Sequence, residues 1–445
     1  MREEPQLPGP VYSWFVILTL SGAMAFSLVD RFALSLLFEP IKADLLLSDT
    51  QLGMLHGIAF GLFYATMGIP IAWLIDKWSR KWVIFWGIGC WSLMTLLCGF
   101  SRNYLQLLGA RIGVGVGEAA LAPAGYSLIA DIVPEKRLAT AISVFQMGSL
   151  FGGGLAFLAG GSILSFIEAS DFSAIPLLAH LAPWQITFII VALPGVVFLA
   201  LVMMIKEPVR TMLSGQVTQQ PVTPMASGLW QELKARRGLY SSVFIGNSCL
   251  IAISYANMTW IPSVLARQYQ WSLVDIGFRF GWVMLIFAPA GVLLGGLLAD
   301  RLERKGRQDA YPLVLLGAAA LSSVLVIASM FSQSAWALFT VIGMIQFAVC
   351  LSIGTCPATI VKICPPSVRA RVTAVYVFLL NMVGLGLGPI LIGLFSDHIF
   401  QSREGILISL RMFSLLMCLV AVTCLWLFRQ KMQSTYLDSP ATQAA

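Results

Sequence analysis

Apolar residues fill this chain in runs of about twenty or more, broken by short polar clusters. Twelve such runs are legible, over residues 12–37, 50–75, 82–100, 104–132, 138–166, 184–205, 240–266, 272–299, 311–331, 334–362, 370–397 and 405–428. A helix rises about 1.5 Å per residue, so each run reaches across most or all of roughly 30 Å of hydrocarbon. Backbone polar groups must pair within the segment in lipid. The pattern therefore predicts an all-α integral membrane protein of twelve transmembrane helices.

Two polar stretches read as loops. Residues 167–183 join the fifth and sixth runs, and residues 206–239 form a longer linker rich in Gln, Thr and Pro. The linker divides the chain into a six-helix bundle at 1–205, a cytoplasmic linker at 206–239, a second six-helix bundle at 240–430 and a cytoplasmic tail at 431–445. Basic residues gather at one side, in Lys77-x-x-Arg80-Lys81, Lys234-x-Arg236-Arg237 and Arg301-x-x-Arg304-Lys305-x-Arg307. The opposite side holds few, including Lys42, Arg102 and Arg267. The positive-inside rule then places both termini in the cytoplasm and the chain in a cell inner membrane.

Composition supports this reading. Of 445 residues, 58% are hydrophobic and 11% charged, against roughly a quarter charged in soluble domains. The net charge of +7 does not argue for nucleic acid, because the basic residues sit between apolar runs. The eight cysteines form no C-x-x-C pair, so neither a zinc site nor a disulfide framework is expected. There is no phosphate-cradling loop, no H-E-x-x-H and no G-x-S-x-G elbow. The chain is thus expected not to be an enzyme and to need no cofactor, and a membrane-embedded lipid enzyme or a sensor is a distant alternative.

Charges inside the apolar runs are the candidate chemistry. Of 21 acidic residues only Asp30 and Glu118 lie deep in a run, with Arg31 and Arg111 nearby in the first and fourth. Each such charge costs about 2.5 kcal/mol or more near the bilayer centre, so it is paired or used. Asp30 and Arg31 are chain neighbours and point about 100° apart, which favours a partner for Arg31 on another helix. Glu118 is the deep acid available for it. Arg111 and Glu118 lie two turns apart on one face, so the four can meet in one proton-linked cluster. A permanent ionic lock between the two helices is the competing reading. His56 reads as a packed residue, and Arg279 and Arg411 as side chains reaching toward headgroups.

The two halves echo each other. Ala72-x-x-x-Asp76-Lys77-x-x-Arg80-Lys81 follows the second run, and Gly296-x-x-x-Asp300-Arg301-x-x-Arg304-Lys305 follows the eighth. These duplicated loops resemble the cytoplasmic signature of the major facilitator superfamily, over essentially the whole chain. The resemblance implies two pseudo-symmetric six-helix bundles that rock about a central cavity, lined by helices one, four, seven and ten. Asp76 with Arg80, and Asp300 with Arg304, are expected to brace the cytoplasmic gate by charge-assisted bonds, joined by Asp131. Ala72 and Ser79 depart from the signature's glycines.

Asp30-Arg31, Arg111 and the Gly113-x-Gly115-x-Gly117-Glu118-Ala119 run, continuing through Pro123-Ala124-Gly125-Tyr126 to Asp131, resemble more closely the Spinster branch. That branch implies export of sphingolipids or lysophospholipids, with Asp30, Arg31 and Glu118 as the proton-linked group and Arg111 in support. The seventh and tenth runs hold no deep acid. They offer Asn247, Tyr255, Asn257, Gln346 and Phe347 as substrate-cavity candidates. A wall of this kind suits a small amphipathic or lipid substrate. The expected protein is a monomeric, multi-pass, proton-coupled transporter in a lipid bilayer; a multidrug exporter or organic-anion symporter of the same fold is the alternative.

Overall fold

In the computed structural model, residues 9–172, 175–176, 178–208, 227–365, 368–402 and 404–437 are described, and the apolar runs among them are helical. The first run forms α1 (Pro10–Leu36), opened by a proline where a missing N–H does no harm. A short α2 (Phe38–Leu45) leads to α3 (Asp49–His56) and α4 (Ile58–Lys77). Ser48 caps α3 in a capping box: its hydroxyl accepts from the Gln51 amide at 3.2 Å, and the Gln51 side chain accepts from the Ser48 amide at 2.9 Å. The second run, expected to be one helix, is divided at Gly57, whose ψ of −92° is not helical.

The third run is α5 (Arg80–Cys98), and the fourth is two helices, α6 (Tyr104–Glu118) and α7 (Leu121–Ile132). Pro123 accounts for this break, since a helical proline lacks an N–H and crowds the carbonyl four residues before it, here that of Ala119. The break leaves Glu118 as the last residue of α6. Next come α8 (Glu135–Ala169), then α9 (Pro183–Ala192) and α10 (Pro194–Met203), which meet at a second proline.

The linker is not wholly irregular: its end forms α11 (Ser227–Ala235), while residues 209–226 lie outside the described residues, as do 438–445 of the tail. Continuous helices α12 (Arg237–Tyr269), α13 (Leu273–Arg304), α14 (Ala310–Met330) and α15 (Ala335–Ile363) follow. The eleventh run starts as α16 (Arg369–Asn381), widens into a π segment at Met382–Leu387, and resumes as α17 (Gly388–Phe395) before a second π segment. Pro389 cannot donate to the helical ladder, which is one source of such widening. The chain's last described helix is α18 (Gly405–Leu437). Eleven of these spans are long and apolar enough to cross a membrane, and the run divided at Gly57 supplies the twelfth.

Packing groups the chain into two compact units, Met1–Gln216 with Pro262–Leu285, and Val217–Ile261 with Ile286–Ala445. The linker boundary and the packing boundary therefore differ at 262–285, which packs with the first unit. Small residues explain that grouping. A Cβ on Gly161 would sit 3.1 Å from the Gly277 Cα, and the rings of Phe157 and Phe280 meet at 4.8 Å. Lipid gives no hydrophobic push between helices, so close backbone approach of this kind supplies the attraction.

Candidate functional site

The first unit brings the four deep charges together in crossed pairs. Arg31 on α1 donates to Glu118 at the end of α6 over 2.6 Å. Arg111 on α6 reaches Asp30 on α1 at 3.5 Å. All four residues are buried. Two positive and two negative groups make the cluster neutral, which is the condition for keeping such charges in a low-dielectric interior.

Two neighbours that the sequence reading did not single out complete the cluster. Thr95 on α5 donates its hydroxyl to Asp30. Phe60 on α4 lies under both guanidinium groups, at 4.3 Å from Arg31 and 5.7 Å from Arg111, and the Tyr64 ring stands 5.1 Å from Arg31. Aromatic faces hold cations that have lost their water. Nothing distinguishes Thr95 from the many hydroxyls that bond back to their own helix, and Phe60 reads as one more apolar residue.

The glycine run of α6 is what lets the helices close on this cluster. A Cβ on Gly115 would stand 2.7 Å from the Phe60 carbonyl oxygen, and one on Gly117 would stand 2.7 Å from the Trp91 amide nitrogen. Gly115 thus seats α6 on α4, and Gly117 seats it on α5. Glu118 Oε1 and the Arg111 Nε and Nη2 atoms have no hydrogen-bond partner among the described residues. His56 is buried beside Phe32, with its Nδ1 at 3.4 Å from the Ser35 hydroxyl.

The expected gate residues divide. Arg80 pairs with Asp131 and, at 3.0 Å, with Glu207, and it donates to the Ser127 carbonyl at 3.0 Å. Glu207 sits at the start of α5 and accepts from the Arg80 and Lys81 amides at 3.1 and 2.8 Å and from the Ser79 hydroxyl at 2.7 Å. This is an anion on a helix N-terminus. Partial burial opposes the charge of Glu207, but those donations outweigh it and hold the carboxyl below its usual range. The Asp76 side chain lies outside the described residues.

In the second copy the expected Asp300–Arg304 brace does not form. Arg304 Nε reaches the Asp300 carbonyl oxygen at 3.3 Å, and the Asp300 carboxylate instead accepts from Tyr311 at 3.1 Å. The two residues share a helix one turn apart, so the guanidinium folds back onto the backbone. Arg411 also departs from expectation, because it donates to the Ser329 carbonyl at the end of α14 rather than reaching for headgroups. Arg279 stays local, 3.5 Å from Asp275 and 4.8 Å from the Trp271 ring.

The substrate-cavity candidates lie in the second unit, and two of them are hydrogen-bonded to side chains of a neighbouring helix. Asn247 donates to the Tyr376 hydroxyl of α16 at 2.8 Å, and Ser254 donates to Gln346 at 2.9 Å, joining α12 to α15. Asn257 is buried with its Nδ2 unpartnered among the described residues. Tyr255 packs on Gly384, where an added Cβ would meet its ring at 3.0 Å, and Phe347 packs its backbone against Gly291.

A second ionic group in the first unit was not foreseen. Arg267, one of the few basic residues expected on the side opposite the basic loops, donates to Glu39 at 2.8 Å and to Asp49 at 3.0 Å, and Lys42 also pairs with Asp49. Asp49 is buried within it. The acids stand more than 200 positions before Arg267 in the chain, so no local spacing announces them.

Residues 20–389 match the family model of the Major Facilitator Superfamily. An "MFS-type efflux pump" of Mycolicibacterium smegmatis is 31% identical, over 94% of this chain and 93% of its own length. Protein spinster of Drosophila melanogaster is 24% identical over 90% of this chain and 66% of its own length. A bacterial homolog of the human lysosomal transporter Spinster, solved inward-facing and unoccupied, superposes with a TM-score of 0.81, at 24% identity over 97% of this chain and 100% of its own.

Proposed function

This chain belongs to the Major Facilitator Superfamily, and from that premise we propose that it is a proton-coupled transporter of an amphipathic, lipid-like organic solute. It is an integral, multi-pass membrane protein of twelve helices, resembles the Spinster branch, and is a secondary transporter. The proposed parts are the proton, the substrate class, the single-copy state, and the placement of both termini in the cytoplasm of an inner-membrane protein.

The observation that carries the reading is the crossed pairing of Arg31 with Glu118 and Arg111 with Asp30. Arginine keeps its charge, so only the acids take up a proton. While both pairs hold, the cluster is neutral. A proton on either acid leaves one guanidinium uncompensated in a poor solvent for charge, which disfavours that arrangement of helices by several kcal/mol. An arrangement in which the freed arginine finds water or substrate then becomes favoured. Proton uptake and helix movement are linked in this way, as alternating access requires.

The proposed substrate class rests on the difference between the clusters. The first unit holds deep charge, and the second offers neutral amides, hydroxyls and aromatic rings on α12, α15 and α16. Neutral polar groups set among apolar and aromatic side chains, as in the second unit, suit a molecule with a polar head and an apolar body. The efflux-pump name of a relative 31% identical to this chain supports export as the direction of transport. The test is a panel in proteoliposomes with an imposed pH gradient, spanning lysophospholipids, sphingoid bases, amphipathic drugs and sugar acids. Gradient-dependent movement of the amphipathic members supports the reading; movement of sugar acids alone overturns the substrate class.

A further inference from the structure

A groove of about 440 Å³ opens on the second unit between the basic end of α13 and the start of α14. Leu298, Arg301, Leu302 and Lys305 line one side. They recur at the i, i+3, i+4, i+7 spacing of a single helix face. Leu313 and Gly317 of α14 form the other side, and Leu351 of α15 closes the floor. Nothing stands within 4 Å of where a Gly317 Cβ would be, so the groove stays open at its middle.

The charges at this end of the unit divide into two sets. Lys362 is paired with Glu303, and Arg307 and Arg429 are both paired with Asp309. Arg304 is spent on the Asp300 carbonyl. Arg301 and Lys305, the two cations that face the groove, are exposed and have no ion pair or side-chain hydrogen bond among the described residues. They stand one turn apart at one end of an apolar channel. The sequence motif that suggested a gate brace on Asp300 and Arg304 leaves these two basic residues without work.

We propose that this groove is a binding site for an anionic phospholipid of the leaflet next to the basic loops. The acyl chain lies against Leu298, Leu302, Leu313 and Leu351, and the phosphate is held by Arg301 and Lys305. An apolar wall with exposed, unpaired cations at one end is complementary to that molecule. A free phosphate uses only the charged end, and a zwitterionic lipid brings a cation of its own. The site is separate from the crossed pairs of the first unit and does not depend on their coupling to protons.

The full chain in a neutral detergent, examined by native mass spectrometry with added phosphatidylglycerol or phosphatidylcholine, tests this. Bound phosphatidylglycerol is expected to fall about thirtyfold in affinity in the Arg301→Gln, Lys305→Gln double variant. Both positions are exposed, so the variant keeps its fold. Arg301→Lys is expected to retain binding. Gly317→Leu, which fills the groove without touching a charge, is expected to weaken phosphatidylglycerol with both cations intact. Phosphatidylglycerol binding that is unchanged in the double variant, equal binding of phosphatidylcholine, or full displacement by millimolar inorganic phosphate would each overturn the proposal.

Discussion

Arg31 donates to Glu118 over 2.6 Å, while Asp30, the residue beside it in the chain, is held by Arg111 from the same helix that carries Glu118. Two adjacent residues of α1 thus face two residues of α6 a pair of turns apart, with opposite order of charge. Loss of any single member leaves an uncompensated charge in the cluster.

Single removal of a partner should therefore cost more than its share. Arg31→Met and Glu118→Gln are each expected to lower stability by about 3 kcal/mol, since each leaves a buried group unpaired. The double variant should cost clearly less than the sum. Thermal denaturation of the four proteins in one detergent measures the coupling; strict additivity would mean that the pair is not formed.

Gly115 sets the distance between α4 and α6. Gly115→Ala places a Cβ 2.7 Å from the Phe60 carbonyl oxygen, so the helices must part. A loss of about 1–3 kcal/mol is expected, together with weaker transport, because Phe60 carries both guanidinium groups. Gly109→Ala on the same helix meets nothing within 4 Å and should be close to neutral in the same melting assay.

Arg267 balances Glu39 and Asp49, and Asp49 is buried. Arg267→Gln is expected to lower the melting temperature by several degrees. Adding Asp49→Asn should recover part of the loss, because the acid no longer lacks its main cation. No recovery would show that Lys42 alone suffices for Asp49.

Glu207 should make stability depend on pH. Its carboxyl is held below the usual range, so it stabilises the fold fully above the unfolded value and loses that contribution as pH falls through the folded one. The gap in melting temperature between the protein and Glu207→Gln is expected to be largest near neutrality and to close toward pH 3. A gap that widens on acidification would contradict the assignment.

How much of this was legible in the chain depends on the kind of signal. Asp30, Arg31, Arg111 and Glu118 stand out because charge is costly inside an apolar run, and the angle between helical neighbours already separates Arg31 from Asp30. The breaks at Gly57 and before Leu121 are invisible to hydropathy, which continues across both. Pro123 was the available clue for the second. Thr95 and Phe60 belong to residue types common in any span, so only their placement marks them. Glu207 and Arg267 read as loop and end charges, and their partners lie far along the chain. The Asp300–Arg304 expectation failed because a repeated motif fixes residue types but not whether a guanidinium turns to a carboxylate or to a carbonyl.

The central claim is that the crossed pairs couple protons to movement. The most direct measurement is transport in proteoliposomes across a range of imposed pH gradients, for the unaltered chain, Asp30→Asn and Glu118→Gln, using a substrate identified by the panel. The account predicts a steep dependence on the gradient in the unaltered chain and movement that no longer responds to it in either variant. Equal gradient dependence in all three proteins would contradict it.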